Sequence, residues 1–540
     1  MKLKLLALAA SASLLMGCWD DDVAVTPPPQ FVGVASLGAG GESLDSPETV
    51  SKYEVLTVGI DTTGGTLKLP VRAGAAAVED TFPFIWVANS GENTISKIDT
   101  RTGQELGVYR TAPANAPSNP SRTTVDQDGN VWVGNRNSNT IVKVGLQEFG
   151  QCVDRNSNGL IDSSTGRSDI KPWTGSDVTG AEDECILKYV ALIAPGVDTP
   201  SDIRTVAIDP QNNVFVGGSG RTSLFKVNGS TGDIITATMT LQGHYGGVVD
   251  KTGNLWSMQS GTGKVQKTAP DLSTSTLINL GHSGYGIAID KFGKIWTTEL
   301  SGSGAFSSFD PSDPAGTLKV FNQTGSSTAQ GIATDDNGDI FIASSIVSST
   351  NVVGHYKQVF DNTGAFSTVT FVANYPVGSG PSGVAVDGAG KVWSTNVNSD
   401  NVSRITLAAN PADAVVDNYP VGVGPYNYSD MTGRVVRTIT NRQGTWEATF
   451  DGGRAGFPWA KVIWTLQQAL PEGTNVEAQV KAVDADSREE AKVKFGAIDY
   501  VGVQNNTQLS GVTGRYLKLR LRLTSDSQSA TPVITTVQIQ

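Results

Sequence analysis

Seven times along this chain an aspartate is followed, six residues later, by an aromatic ring. The pairs are Asp80/Trp86, Asp126/Trp132, Asp209/Phe215, Asp250/Trp256, Asp290/Trp296, Asp335/Phe341 and Asp387/Trp393. Most share one frame, small-apolar-Asp-x-x-Gly-x-apolar-aromatic, as in Gly286-Ile-Ala-Ile-Asp-Lys-Phe-Gly-Lys-Ile-Trp296. Each unit encodes a hairpin. β-Branched residues alternate on either side of a turn in which Asp can bond nearby backbone and Gly can take positive φ. Further strand-like runs follow, for example residues 93–99 and 401–407. Four strands and one aromatic per unit describe a propeller blade. Successive aromatics fall 40 to 52 residues apart except for one step of 83, which holds an insertion. Such spacing is that of propeller repeats. The expected fold class is therefore all-β: a seven-bladed β-propeller over residues 51–427 with an insertion at 146–199. The repeated aspartates, placed in turns, are expected to cap those turns rather than to act as acid/base pairs.

From Arg434 the pattern changes to cleanly alternating strands at 461–464, 475–481, 516–523 and 533–539. Polar residues are expected to face water and apolar ones a core, as in an antiparallel β-sandwich spanning 428–540. Gly514-Arg515-Tyr516-Leu517 and Thr531-Pro532 resemble jelly-roll accessory modules of extracellular proteins. Residues 53–60 read as a strand that either caps the first blade or completes the ring.

Composition agrees with this architecture. Of 540 residues 61 are Gly and only 5 Met, and charged residues make up 17%. The net charge of −12 argues against a nucleic-acid partner, whose phosphates need a basic face. At the N-terminus Lys2 and Lys4 precede an apolar run from Leu5 to Met16, as in an export signal. The run ends in Leu15-Met16-Gly17-Cys18, which resembles a bacterial lipobox. That resemblance implies a signal peptide at 1–18 and a lipid on Cys18 that tethers the protein to a membrane. Trp19, standing where Asp typically retains lipoproteins at the inner membrane of enteric bacteria, points to the outer membrane. Residues 19–50, with Asp20-Asp21-Asp22 and Pro27-Pro28-Pro29, are expected to be a linker.

The insertion carries the other two cysteines, Cys152 and Cys185, and an exported compartment permits a disulfide between them. It also carries Asp154-x-Asn156-x-Asn158-Gly159-Leu160-x-Asp162. These oxygen donors and the glycine match the first nine positions of an EF-hand-type calcium loop, with the Leu160 carbonyl at position seven. Thr165 stands where position twelve has Glu, so Asp169, Glu182, Asp183 or Glu184 must supply the last carboxylate. The expected cofactor is a structural Ca²⁺; the alternative is an Asx-rich turn without metal.

Over residues 82–427 the repeats resemble the NHL and streptogramin-lyase group of β-propellers, with 286–299 the nearest stretch. Streptogramin lyases open a cyclic ester with histidines, a glutamate and Mg²⁺, and their histidine column lies eleven residues before the blade aromatic. Here that column reads Ser121, Arg204, Tyr245, Tyr285, Gln330 and Ser382. Glu299 matches the family's Trp-x-x-Glu, but no histidine occupies the column, and the chain has only 3 in all. No nucleophile elbow, HExxH, P-loop or haem motif occurs either. Arg204, Tyr245, Tyr285, Gln330 and Glu299 are thus the expected funnel residues, either binding a ligand or plugging the channel. The expected function is that of an envelope-anchored binding scaffold for a protein or glycan partner. The alternative is a lyase or lactonase with a metal in the funnel.

Overall fold

The computed structural model describes residues 51–58, 60–62, 64–69, 82–300, 302–344, 350–436, 442–525 and 530–540. The expected signal peptide with Cys18, the 19–50 linker and Asp80 lie outside the described residues.

Seven antiparallel sheets form a ring, as expected. Blade one holds Phe84–Asn89, Thr94–Asp99 and Glu105–Arg110. Blades two to seven each have four strands in sequence order, beginning with Pro120–Val125, Ile203–Ile208, Gly246–Val249, Ile287–Ile289, Ile332–Thr334 and Pro381–Val386. These first strands surround the axis. The repeat aromatics explain why the sheets stack. Trp132 packs into blade three, Trp256 into blade five, Trp296 into blade six, and Trp393 against Ile85 and Val87 of blade one. Each ring is a wedge buried between two sheets, and the core is divided into one such layer per blade junction.

The six-residue spacing has a concrete cause. At Asp290, Oδ1 accepts from the N–H groups of Phe292 and Lys294, both at 2.9 Å. Gly293 sits at φ 81, which a side chain would disfavour. Oδ2 accepts the Trp296 indole N–H at 2.9 Å. Asp250/Trp256 and Asp387/Trp393 repeat this bond at 2.7 and 2.8 Å. At Asp209, where the aromatic is Phe215, Lys226 Nζ replaces the indole at 2.8 Å. One carboxylate thus ties the turn to the wedge, as structural caps do.

Blade one is completed from the far end of the ring. Tyr426 N donates to Ala88 O at 3.1 Å, and Trp86 N to Met431 O at 3.0 Å. Residues 425–431 therefore lie beside Phe84–Asn89 as its inner neighbour. The chain then runs down the axis: Thr432 Oγ1 donates to Val386 O at 3.1 Å, and Arg434 pairs with Asp336 on the opposite face. An added Cβ at Gly383 would collide with the Asn427 carbonyl, so this glycine permits the passage. The expected boundary at 428 falls inside the propeller, because the blade needs that strand.

The sandwich pairs a five-stranded sheet with a three-stranded one. Its five-stranded order is Ser51–Val58, Arg442–Asp451, Tyr516–Ser525, Thr474–Val483, Val501–Val503. Ser51–Val58 thus neither caps a blade nor closes the ring, as was expected of residues 53–60. It pairs with Arg442–Asp451, and Leu67–Lys68 joins the second sheet. Leu517, Leu519, Leu521 and Leu523 fill the core, as their alternation implies. The alternate face does not face water, however. Lys518 and Arg520 are 5% and 8% exposed. Asp128, in blade two's hairpin turn, lies 3.5 Å from Arg520 and 3.8 Å from Arg522. Arg520 also pairs with Glu447 at 2.5 Å. Among the described residues the sandwich is docked on the face of the Asp turns, which leaves the opposite propeller face free of it.

The insertion is narrower than expected, because Ile186–Ala191 is the outer strand of blade two. Cys152 and Cys185 are disulfide-bonded.

Candidate functional site

On the free face the first strands begin at the axis, and three begin with a bulge. Pairing steps from Pro120↔Asn135 to Arg122↔Gly134, from Ile203↔Gly218 to Thr205↔Gly217, and from Pro381↔Asn396 to Gly383↔Thr395. The residue skipped is Ser121, Arg204 or Ser382, the column read from the sequence. A bulge takes its residue out of the ladder and re-aims it. Arg204 is thereby held against the Tyr245 ring, 4.8 Å from its centroid, with Nε on Asp202 at 2.9 Å.

Four tyrosines meet there. Tyr245 Oη donates to Tyr285 Oη at 2.9 Å, and the Tyr285 and Tyr426 hydroxyls are 2.6 Å apart. Gln330 Nε2 donates to both Tyr285 and Tyr426, at 3.3 and 3.4 Å. Tyr428 stacks on Tyr285, with centroids 5.1 Å apart. Beneath them the Arg122 guanidinium lies 3.1 Å from the Tyr428 centroid and donates to Ser121 O and Tyr245 O at 2.8 and 3.2 Å. Arg136 stands 5.3 Å from the Tyr426 ring centroid. Tyr285, Tyr426 and Tyr428 are buried; Tyr245 and Arg136 are half-buried.

The electrostatics follow from this crowding. Burial, then neighbouring Arg204, pushes the Arg122 guanidinium down to about 9, so it stays charged at neutral pH. Burial pushes Tyr285 well above the ordinary phenol range, with Tyr426 beside it adding to the rise. Tyr426 goes the other way. Burial raises it, but Arg122, the Tyr285 hydroxyl and Arg204 together outweigh burial and hold it below the ordinary range.

The structure thus brings together Arg204, Tyr245, Tyr285 and Gln330. Glu299 is not among them. Its carboxylate accepts from Ser283 Oγ at 3.0 Å, Ser303 N at 3.2 Å and Ala305 N at 3.4 Å, so it caps its own loop. Arg122, Arg136, Tyr426 and Tyr428 were missed. Tyr426 left a signal: Val421-Gly-Val-Gly-Pro425 repeats the run ending at Pro381, which aligns Tyr426 with Ser382 in the column. Arg122 and Arg136 left none, because only the bulge and the stacked tyrosines bring them in.

The histidines lie elsewhere. His244 sits between Thr240 Oγ1 and Ser257 Oγ in blade four, and burial pushes it down to about 4. His282 bonds Ser307 in blade five, and His355 pairs with Asp339 in blade six. Among the described residues no group of three or more His, Cys, Asp or Glu is arranged to hold a metal ion. The axis can offer hydrogen bonds, cationic charge and aromatic faces.

In the insertion, Asp154 accepts from the N–H groups of Asn158 and Gly159 at 3.3 and 3.0 Å. Asp162 Oδ2 accepts from Asn156 Nδ2 and Asn158 Nδ2 at 2.7 and 2.8 Å. Thr165 turns to Asp169 instead. Glu184, adjoining the disulfide, accepts from the N–H groups of Arg155, Asn156 and Asp162 at 2.7, 3.1 and 2.8 Å. Asp154, Asn156, Asn158 and Asp162 therefore do form one loop. Its oxygens are of the hard kind that Ca²⁺ takes, and its third carboxylate, Glu184, is engaged with backbone.

No family model matches the chain, and no curated protein matches it. Solved structures do. Virginiamycin B lyase from Staphylococcus aureus is 15% identical over 58% of this chain and 87% of its own, with a TM-score of 0.41. A streptogramin B lyase is 14% identical over 66% and 93%, with a TM-score of 0.41. A protein from Lactobacillus plantarum is 13% identical over 64% and 98%, with a TM-score of 0.44. The likeness is one of fold and says nothing of what this chain binds.

Proposed function

We propose that this protein is an envelope-tethered binding scaffold whose free propeller face recruits a protein or glycan partner. One observation carries the reading: tyrosines and arginines gather at the axis of that face, while the three histidines bond within blades four, five and six. Such a surface is suited to recognition, since Tyr and Arg are the side chains enriched where proteins bind partners. The lipid on Cys18 holds the protein at the outer membrane, and the sandwich, docked on the other face, leaves the axis open. Ca²⁺ in the 154–162 loop stiffens the insertion.

The test is recovery of partners from solubilised membranes with wild-type protein and Tyr245→Ala, a half-buried position whose loss spares the blade cores. Recovery should fall sharply with the melting temperature unchanged. Equal recovery sinks the axis as the binding surface. For the loop, a chelator should lower the melting temperature of wild type and leave Asp154→Ala unmoved; no shift in wild type leaves only the turn.

A further inference from the structure

The axial cluster carries more positive charge than it is given partners for. The chain as a whole is acidic, at −12. Yet Arg122, Arg136 and Arg204 gather around one pair of rings, within 5.4, 5.3 and 4.8 Å of the Tyr245 or Tyr426 centroids. Among the described residues a single carboxylate, Asp202, bonds this group, through Arg204 Nε. Arg136 bonds the neutral Asn119 side chain. Arg122 bonds two backbone carbonyls, and it is 1% exposed. Burying a cation against neutral acceptors is expensive, and natural structures retain such groups where an anion compensates them.

The unused hydrogen-bonding capacity points the same way. Arg122 Nε, Arg204 Nη1 and Tyr428 Oη are buried without a hydrogen-bond partner. Buried polar atoms without partners are rare in folded proteins. Eighteen such side-chain atoms occur among the described residues, and three of them fall together in this cluster, beside the half-buried Arg136 and Tyr245.

We infer that the axis of the free face is an oxyanion site, in which Arg136, Arg204 and Tyr245, over Arg122, take a carboxylate or sulfate group carried by a saccharide. The inference rests on the proposed binding role and specifies its chemistry. The guanidinium forks match a planar carboxylate or a sulfate edge. The Tyr245 ring packs on Arg204 and Tyr428 but is half-buried, and its exposed part is the aromatic surface that a sugar's C–H groups would meet. Leu300 and Val397, both half-buried, pack against the same tyrosines and add apolar surface beside the guanidiniums.

Calorimetric titration of the full chain tests this with sodium glucuronate, N-acetylglucosamine 6-sulfate, neutral glucose and N-acetyl-aspartate. Saturable one-to-one binding of the two anionic saccharides, and none of glucose, is expected. Arg136→Gln, half-buried and so least harmful to folding, should weaken binding roughly tenfold, the worth of one charge-assisted hydrogen bond. Arg204→Gln should do the same, and Arg136→Lys, which keeps the charge but loses the fork, should restore only part of the loss. The idea is overturned by absence of saturable heat, by indifference to both Gln variants, or by tighter binding of N-acetyl-aspartate. If saccharides fail while partner recovery still depends on Tyr245, the binding role survives and the oxyanion site does not. If saccharides bind but recovery ignores Tyr245→Ala, the site stands and the scaffold reading falls.

Discussion

At Asp290 both carboxylate oxygens are occupied, Oδ1 by two backbone N–H groups and Oδ2 by Trp296 Nε1 and Gln358 Nε2. Asp290→Asn would turn an amide NH₂ or a single oxygen toward these donors, costing about 2–3 kcal/mol for buried donors left unmade. Trp296→Phe removes one donor and part of a fully buried ring, so it should destabilise through the cavity as well as the lost bond, although blades three and six are built around Phe at the equivalent places. Melting temperatures of the two variants check both losses. Lys481 makes the second residue-scale case. It donates to Phe495 O at 2.6 Å, among Lys518, Arg520, Glu447 and Asp128. Burial, then Lys518, pushes it down to about 7. Its folded value lies below its unfolded one, so its contribution is full above about 10.5 and is lost as pH falls through 7. Lys481→Met should flatten stability between those limits and raise it by about 1 kcal/mol at pH 6, after allowing for solvent access. Chemical denaturation across that range decides it.

At the scale of elements, two segments act far from their place in the sequence. Residues 425–431 complete blade one, and Ser51–Val58 completes the sandwich. A chain of residues 82–436 should therefore fold as a closed propeller. One ending at Gly424 should expose the inner edge of Phe84–Asn89 and aggregate. A chain of residues 442–540 alone lacks the strand that covers Arg442–Asp451 and should need residues 51–69 added in trans to become soluble. Light scattering and circular dichroism on the three fragments check this. A soluble, monomeric 82–424 would show that the closure contributes nothing.

For the whole molecule, Asp128 is a charged contact between the Asp-turn face and the sandwich. Burial raises its pKa, but Arg520 and Arg522 outweigh that and hold it below the usual carboxylate range. Asp128→Asn leaves the two guanidiniums short of a charge, costing about 1–3 kcal/mol at the interface. Calorimetry should then resolve one melting event into two, propeller and sandwich. A single unchanged transition would mean that other contacts carry the docking. Docking commits the Asp-turn face, rather than the Arg/Tyr face, to the sandwich.

How much was legible depends on the range of the interaction. Blades, Asp turns and wedge aromatics are local: their signals lie within six residues, repeat seven times, and obey strand and turn stereochemistry that any such segment must follow. The Arg204–Tyr245–Tyr285–Gln330 column was legible for the same reason, since repetition places equivalent residues at equivalent radii. The strand partners of 51–58 and 425–431, the charged face of Tyr516–Ser525 and the entry of Arg122 were not. Alternation says that Lys518 and Arg520 leave the sandwich core, but not whether water or Asp128 awaits them. Only the folded chain decides that, because a strand edge, a charge or an aromatic face is satisfied equally well by any partner that the rest of the molecule brings within reach.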